Sequence, residues 1–193
     1  MRRLVIAVDC DDVLTPSAEK IVEIYNRQFG TNVSLADSQN SGADWQASPG
    51  QIGDRIYDIQ LTDEYLRVKP FQDAIEVCRR LAKSHDLHLV TARPGRIMAT
   101  TIAMLENHFK GIFQEIEHIG IDGNKGEICR NLQADALIDD NIRHLEAAKA
   151  CRVESLIWFG DYPWQDSLGT GSHTARCRDW YEVEREIERV AGQ

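Results

Sequence analysis

The chain has 193 residues, 42% of them hydrophobic and 27% charged. This ordinary globular composition excludes long disorder, collagen and coiled coil, and allows one domain or one domain with a sizeable insertion. Lys and Arg number 22 against 31 Asp and Glu, a formal net charge of −9, so binding to a nucleic-acid polymer or an anionic membrane surface is not expected. A small anionic substrate stays admissible where a cation or local dipoles offset the charge. The five cysteines are odd in number and form no CxxC pair, which argues against a disulfide framework or zinc knuckle and for a reducing compartment. The apolar run at 4–8 stops at Asp9, too short for a signal peptide or a membrane span, so a cytoplasmic protein is expected.

Residues 4–8 are continuously apolar and rich in β-branched side chains, the pattern of a strand buried on both faces. Residues 17–29 follow as a helix, with Ile21, Val22, Ile24, Tyr25 and Phe29 apolar and Gly30 as a stop. After a polar loop at 36–42, residues 49–60 and 62–67 read as two short helices. No strand is expected between 16 and 68. The chain then alternates: helix 71–84, strand 87–90, helix 95–109, a weaker strand near 115–119, helix 125–132, strand 136–138, helix 141–150, strand 156–159 and helix 180–190. Alternation of this length predicts an α/β fold, a doubly wound and mostly parallel sheet. Residues 1–15 and 70–193 would form the core, and 16–69 a small helical cap inserted after the first strand.

In such a sheet the ligand binds outside the carboxyl ends of the strands. Those ends carry Asp9-Cys10-Asp11-Asp12, Thr91-Ala92-Arg93-Pro94, Asp122-Gly123-Asn124-Lys125-Gly126 and Asp139-Asp140-Asn141. Carboxylates, a hydroxyl and a lysine on one edge suit a phosphate handled with Mg²⁺, which prefers oxygen ligands. Asp9 and Asp11, two apart on an extended segment, can face the same phosphoryl group. One could attack phosphorus and the other could protonate the leaving oxygen and activate water. Thr91 can donate to a phosphate oxygen, and Lys125 adds positive charge at a helix start. Each acid could instead cap a helix or turn, and Arg93 could touch substrate or pair with an acid. Asp12 is expected to support the loop and Cys10 to pack. His85 and His88 straddle a helix–strand boundary and are not expected to share a metal. Aromatics available to stack on a base are Phe29, Trp45, Tyr57 and Tyr65 in the cap, and Trp158, Phe159, Tyr162 and Trp164 near the last strand.

The order of motifs resembles the haloacid dehalogenase (HAD) superfamily of phosphohydrolases. The matching pieces are V-D-C-D-D-V-L at 8–14, L-V-T-A-R-P at 89–94, Lys125 within G-N-K-G-E, and L-I-D-D-N at 137–141. The resemblance implies Asp9 as nucleophile and Asp11 as general acid/base. Thr91 and Lys125 would bind the phosphoryl group, with Ala92 and Arg93 beside them. Asp9, the Asp11 main-chain carbonyl and Asp139 would hold Mg²⁺, with Asp140 nearby. Dehalogenation is not expected, because relatives with that activity lack the second acid that Asp11 supplies. The small cap, the T-A-R-P and D-D-N motifs and D-W-Y-E-V at 179–183 look most similar to the 5′(3′)-deoxyribonucleotidase and C-type 5′-nucleotidase group. That likeness implies a phosphomonoesterase for nucleoside monophosphates, monomeric or homodimeric. The alternatives are a phosphatase for another small metabolite such as a sugar phosphate, a phospho-receiver module, and a non-catalytic ligand-binding relative.

Overall fold

A computed structural model describes residues 2–120, 123–167, 171 and 173–193. Residue 122, the first of the acidic turn before Lys125, lies outside them. Thirteen elements carry the fold: β1 (Val5–Val8), α1 (Ser17–Phe29), α2 (Pro49–Gln60), α3 (Gln72–Leu81), β2 (Asp86–Thr91), α4 (Met98–His108), β3 (Phe113–His118), α5 (Lys125–Leu132), β4 (Ala136–Asp139), α6 (Ile142–Ala150), β5 (Ser155–Phe159), β6 (Ala175–Cys177) and α7 (Trp180–Ala191). Among the described residues, no helix is long and apolar enough to cross a membrane.

The strands form one sheet in the order β3-β2-β1-β4-β5-β6, with every pairing parallel. The chain winds from β1 outward to β3, then returns to the other side of β1 and winds outward to β6. The reversal lies between β1 and β4, where Val8 is in register with Ile138. A doubly wound sheet opens its crevice at such a point. The apolar runs of β1, β4 and β5 are buried because helices cover both faces. On one face Val77 and Leu81 of α3, Leu105 of α4, and Val183 and Ile187 of α7 pack on Ile6, Val8 and Ile138. On the other, Cys129 of α5 and Leu145 and Ala148 of α6 pack on Ala7 and Leu137.

Residues 16–68 contain no strand and build a third cluster, with Ile21, Ile24 and Tyr25 of α1 against Trp45, Ile52 and Ile59. Gly30 ends α1 with φ of 67°, left-handed backbone that glycine adopts without a Cβ clash. The expected helix at 62–67 is only a 3-10 turn at Tyr65–Arg67. Thr62 turns its hydroxyl back to the Ile59 carbonyl at 2.7 Å, a side-chain bond that competes with continued helix. Two further differences concern the sheet. β3 begins at Phe113, earlier than its apolar residues suggest, and is an exposed edge. β6 is not apparent in the sequence: it is an edge strand of three residues, with Ala175 and Cys177 on the core and the Arg176 guanidinium 4.1 Å from the centre of the Trp158 ring.

Candidate active site

The loop leaving β1 is built to hold two carboxylates at the crevice. The Asp9 N–H donates to the Ile138 carbonyl at 3.0 Å, so β1 and β4 stay paired up to the site. Asp12 then takes φ of 58°, a left-handed turn that Asp tolerates better than most residues. Its carboxylate accepts the Ala18 N–H at 2.9 Å, supporting the start of α1. Two late residues secure the same loop. Tyr162 Oη donates to the Asp12 carbonyl at 2.5 Å, and Trp180 Nε1 donates to the Val13 carbonyl at 2.8 Å.

Lys125 is the first residue of α5 and fully buried. Asn124 caps that helix by accepting the Gly126 N–H at 2.9 Å. Gly126 lets α5 lie against α6, since a Cβ there would meet the Ala147 carbonyl oxygen at 2.3 Å. Lys125 Nζ thereby reaches Asp9 Oδ1 and Asp139 Oδ2, each at 2.6 Å. Asp139 also accepts the Asn141 N–H at 2.9 Å, and His144 Nδ1 lies 3.2 Å from both of its oxygens. Burial raises the Asp139 pKa, but Lys125 and His144 outweigh that and bring it to about 2. Asp9 goes the other way. Burial, with the charges of Asp139 and Asp11, pushes it up to about 6 against the pull of Lys125.

Asp140 stands apart from its neighbour. Its main-chain carbonyl is fixed by Trp158 Nε1 and Gln165 Nε2, both at 2.8 Å. The residue is 6% exposed, and its carboxylate has no hydrogen-bond partner among the described residues. Burial, then the charges of Asp139, Asp12 and Asp9, hold its pKa well above the usual carboxylate range. Oxygens of Asp9, Asp139 and Asp140 lie within 4.8 Å of one another. An all-oxygen set with one buried carboxylate lacking a partner fits a hard divalent cation such as Mg²⁺. Asp140 has donor capacity to spare, whereas Asp139 already accepts from Lys125 and Asn141. The Asp11 carboxylate points elsewhere, so only its main-chain carbonyl could join this set.

Asp11 is gripped by Arg93, with Nη2 at 2.6 Å from Oδ1 and Nε at 2.9 Å from Oδ2. The Ser17 hydroxyl also donates to Oδ1, and Tyr65 Oη lies 3.4 Å from it. Burial would raise the Asp11 pKa, but Arg93 and Ser17 more than reverse this and lower it. Of the two readings open to Arg93, pairing with an acid is the one observed. Thr91 ends β2 fully buried, its Oγ1 accepting the Arg93 N–H at 3.2 Å. Ala92, Asp9, Asp11, Asp12, Asp140 and His144 line a cleft of about 460 Å³. A neighbouring cavity of about 240 Å³ shares Asp11, Asp12, Gln39 and Ala92 and is walled by Ile21, Val22 and Tyr57. Cys10 is buried in the core, and burial pushes its thiol pKa far up, consistent with a packing role.

Three side chains at the site carry no motif signal in the sequence. Ser17 and His144 lie outside the strand-end motifs, and Tyr65 stands out only as one of several aromatics. Of the eight aromatics named as stacking candidates, Trp45 and Tyr57 line the smaller cavity. Phe29 instead lies under the Arg55 guanidinium at 4.1 Å, and Trp158, Phe159 and Trp164 are buried.

Similarities to known proteins agree with this fold. The fold matches a haloacid dehalogenase-like hydrolase from Streptococcus pneumoniae at 13% identity, with a TM-score of 0.69 over 96% of this chain and 98% of that one. It matches a HAD family hydrolase from Deinococcus radiodurans, solved with bound phosphate and sodium, at 13% identity and a TM-score of 0.68 over 97% and 96%. It also matches the HAD-type protein YfnB of Bacillus subtilis, solved with magnesium, at 10% identity and a TM-score of 0.62 over 97% and 100%. No curated protein matches the sequence. Residues 3–192 match the family described as 5′ nucleotidase, deoxy (Pyrimidine), cytosolic type C protein; the chain belongs to that family, within the haloacid dehalogenase superfamily.

Proposed function

We propose that the protein is a divalent-cation-dependent phosphomonoesterase that works through an aspartyl-phosphate, with a nucleoside monophosphate as its substrate. The carrying observation is the buried Lys125 ammonium, held at 2.6 Å from both Asp9 and Asp139 beside the Asp140 carboxylate, which has no hydrogen-bond partner among the described residues. Lys125 keeps Asp9 ionised at neutral pH in a setting that would otherwise favour its proton, and gives the phosphoryl oxygens a fixed positive charge. Thr91 Oγ1 supplies a hydroxyl at the end of the neighbouring strand. A bound Mg²⁺ would neutralise phosphoryl charge; Asp9, Asp140, Asp139 and the Asp11 carbonyl would hold it.

In the first step an Asp9 carboxylate oxygen bonds to phosphorus as the bond from phosphorus to the ester oxygen breaks. That oxygen leaves with a proton from Asp11. In the second step Asp11 takes a proton from water, the water oxygen bonds to phosphorus, and the bond to Asp9 breaks. Phosphate leaves, Asp9 is again a carboxylate and Asp11 again carries the proton with which it began. Support for a nucleoside leaving group comes from the family match and from the smaller cavity. Its apolar walls could cover a base, and Gln39 and Gln60 bring amides that could meet the base edge.

The test is phosphate release from nucleotides and sugar phosphates, with Mg²⁺ and with chelator. Mg²⁺-dependent release that favours nucleoside monophosphates and disappears in Asp9→Asn is the expected result. Release from sugar phosphates alone would keep the chemistry and discard the nucleotide. Full activity in Asp9→Asn would remove the nucleophile assignment.

A further inference from the structure

The Asp11 carboxylate accepts from Ser17 and is linked through it to Tyr65, so it is tied to both places where the chain crosses between the sheet domain and the helical segment. Ser17 opens α1 just after the outward crossing, and Tyr65 sits just before the return crossing at Pro70. Both are buried, at 1% and 6% exposure, and Arg93 is 5% exposed, so water does not readily replace any of their bonds.

Counting protons gives the network a direction. Tyr65 Oη has one hydrogen and two acceptors in reach, Ser17 Oγ at 2.9 Å and Asp11 Oδ1 at 3.4 Å. The shorter contact takes it. Arg93 Nη2 donates to Tyr65 Oη at 3.2 Å. Ser17 Oγ also meets Thr15 Oγ1 at 2.8 Å, but its own hydrogen goes to the closer, charged Asp11 Oδ1, so it accepts from Thr15. The chain of donation therefore runs from Arg93 to Tyr65, from Tyr65 to Ser17, and from Ser17 to Asp11 Oδ1. Oδ1 also receives Arg93 Nη2 directly, while Oδ2 receives only Arg93 Nε. Oδ1 has spent both its lone pairs, and Oδ2 keeps one.

We propose that Tyr65 and Ser17 are positioning residues for Asp11. Their hydroxyl relay fixes Oδ1 and leaves Oδ2 as the oxygen that gives a proton to the leaving group and takes one from water. The inference rests on Asp11 being the general acid/base of the proposed reaction. The two hydroxyls belong to the helical segment and the carboxylate to the sheet domain. Arg93 holds Asp11 from the core, and the hydroxyl relay that fixes Oδ1 is complete only when the segment is seated on it.

The test is single-turnover transfer from a series of aryl phosphates, from nitrophenyl to unsubstituted phenyl, in wild type, Tyr65→Phe, Ser17→Ala and Asp11→Asn. A nitrophenolate leaves without a proton, whereas phenolate benefits from one. Tyr65→Phe and Ser17→Ala are expected to lose about tenfold or more on phenyl phosphate and little on nitrophenyl phosphate, in the same sense as Asp11→Asn. Ser17→Ala guards against a folding defect in Tyr65→Phe, and equal unfolding midpoints in urea identify variants that fold normally. Equal losses along the series, or none, in a folded variant would overturn the positioning role while leaving the phosphatase reading intact. A wild type that transfers no phosphoryl group would remove both.

Discussion

Asp9→Asn is expected to stop turnover and yet to make the metal-free fold more stable near pH 8. The reason lies in where the carboxylate sits. Burial and the charges of Asp139 and Asp11 raise its pKa from 3.8 to about 6 despite Lys125. Between those values the unfolded chain has released the Asp9 proton while the folded chain holds it. Stability therefore falls as pH rises through this window, and the loss is complete above about pH 6. At about 1.4 kcal/mol for each pH unit, ionised Asp9 costs the fold on the order of 3 kcal/mol. Asparagine keeps the size and stays neutral at every pH. Lys125 is not stranded, because Asp139 still holds it at 2.6 Å. For a chain of this length the gain corresponds to roughly 6–12 °C in Tm. Thermal unfolding followed by circular dichroism in chelator, at about pH 4 and about pH 8, reads it directly. The two proteins should melt together at the lower pH and separate at the higher. A variant that melts below wild type near pH 8, or that gains equally at both pH values, would refute the reasoning.

Lys125→Met should do the opposite, since it leaves Asp9 and Asp139 buried with no ammonium between them. A loss of about 3–5 kcal/mol in urea unfolding is expected, and a change under about 1 kcal/mol would mean that other groups carry the charge balance. Gly126→Ala would push a methyl into the Ala147 carbonyl; it should lose about 1–3 kcal/mol together with phosphatase activity. Gly50→Ala, with open space at its Cβ, serves as the control and should match wild type or exceed it slightly. Mg²⁺ should raise the Tm of wild type more at about pH 8 than at about pH 5, because protons and the cation compete for Asp9 and Asp140. Asp140→Asn should lose most of that rise, and an undiminished rise would remove Asp140 from the cation's ligands.

The sheet was legible because parallel strands announce themselves. The apolar runs ending at Asp9, Thr91 and Asp139 mark β1, β2 and β4 and place their polar ends on one edge. Lys125 was legible because the turn before it carries glycine and an Asn cap. β6 was not, since an edge strand of three residues needs no apolar run when one side chain, Arg176, covers Trp158. The division of labour between Asp139 and Asp140 was hidden as well. Identical neighbours in sequence differ only in what reaches them: Lys125, the Asn141 N–H and His144 on one, nothing described on the other. The relay through Ser17 and Tyr65 depends on where two chain crossings meet, which no local spacing encodes.

The hold of Tyr162 and Trp180 on the loop after β1 has a consequence for how the protein is made. Asp9 leaves the ribosome well ahead of the side chains that secure its loop, which come some 150 and 170 residues later. At roughly 5–20 residues per second, the proposed nucleophile waits on the order of ten to thirty seconds without its final support. Lys125, which keeps it ionised, also arrives late. A nascent chain therefore carries the Asp9 carboxylate before the groups that hold and charge-balance it, and the site is complete only as α7 docks.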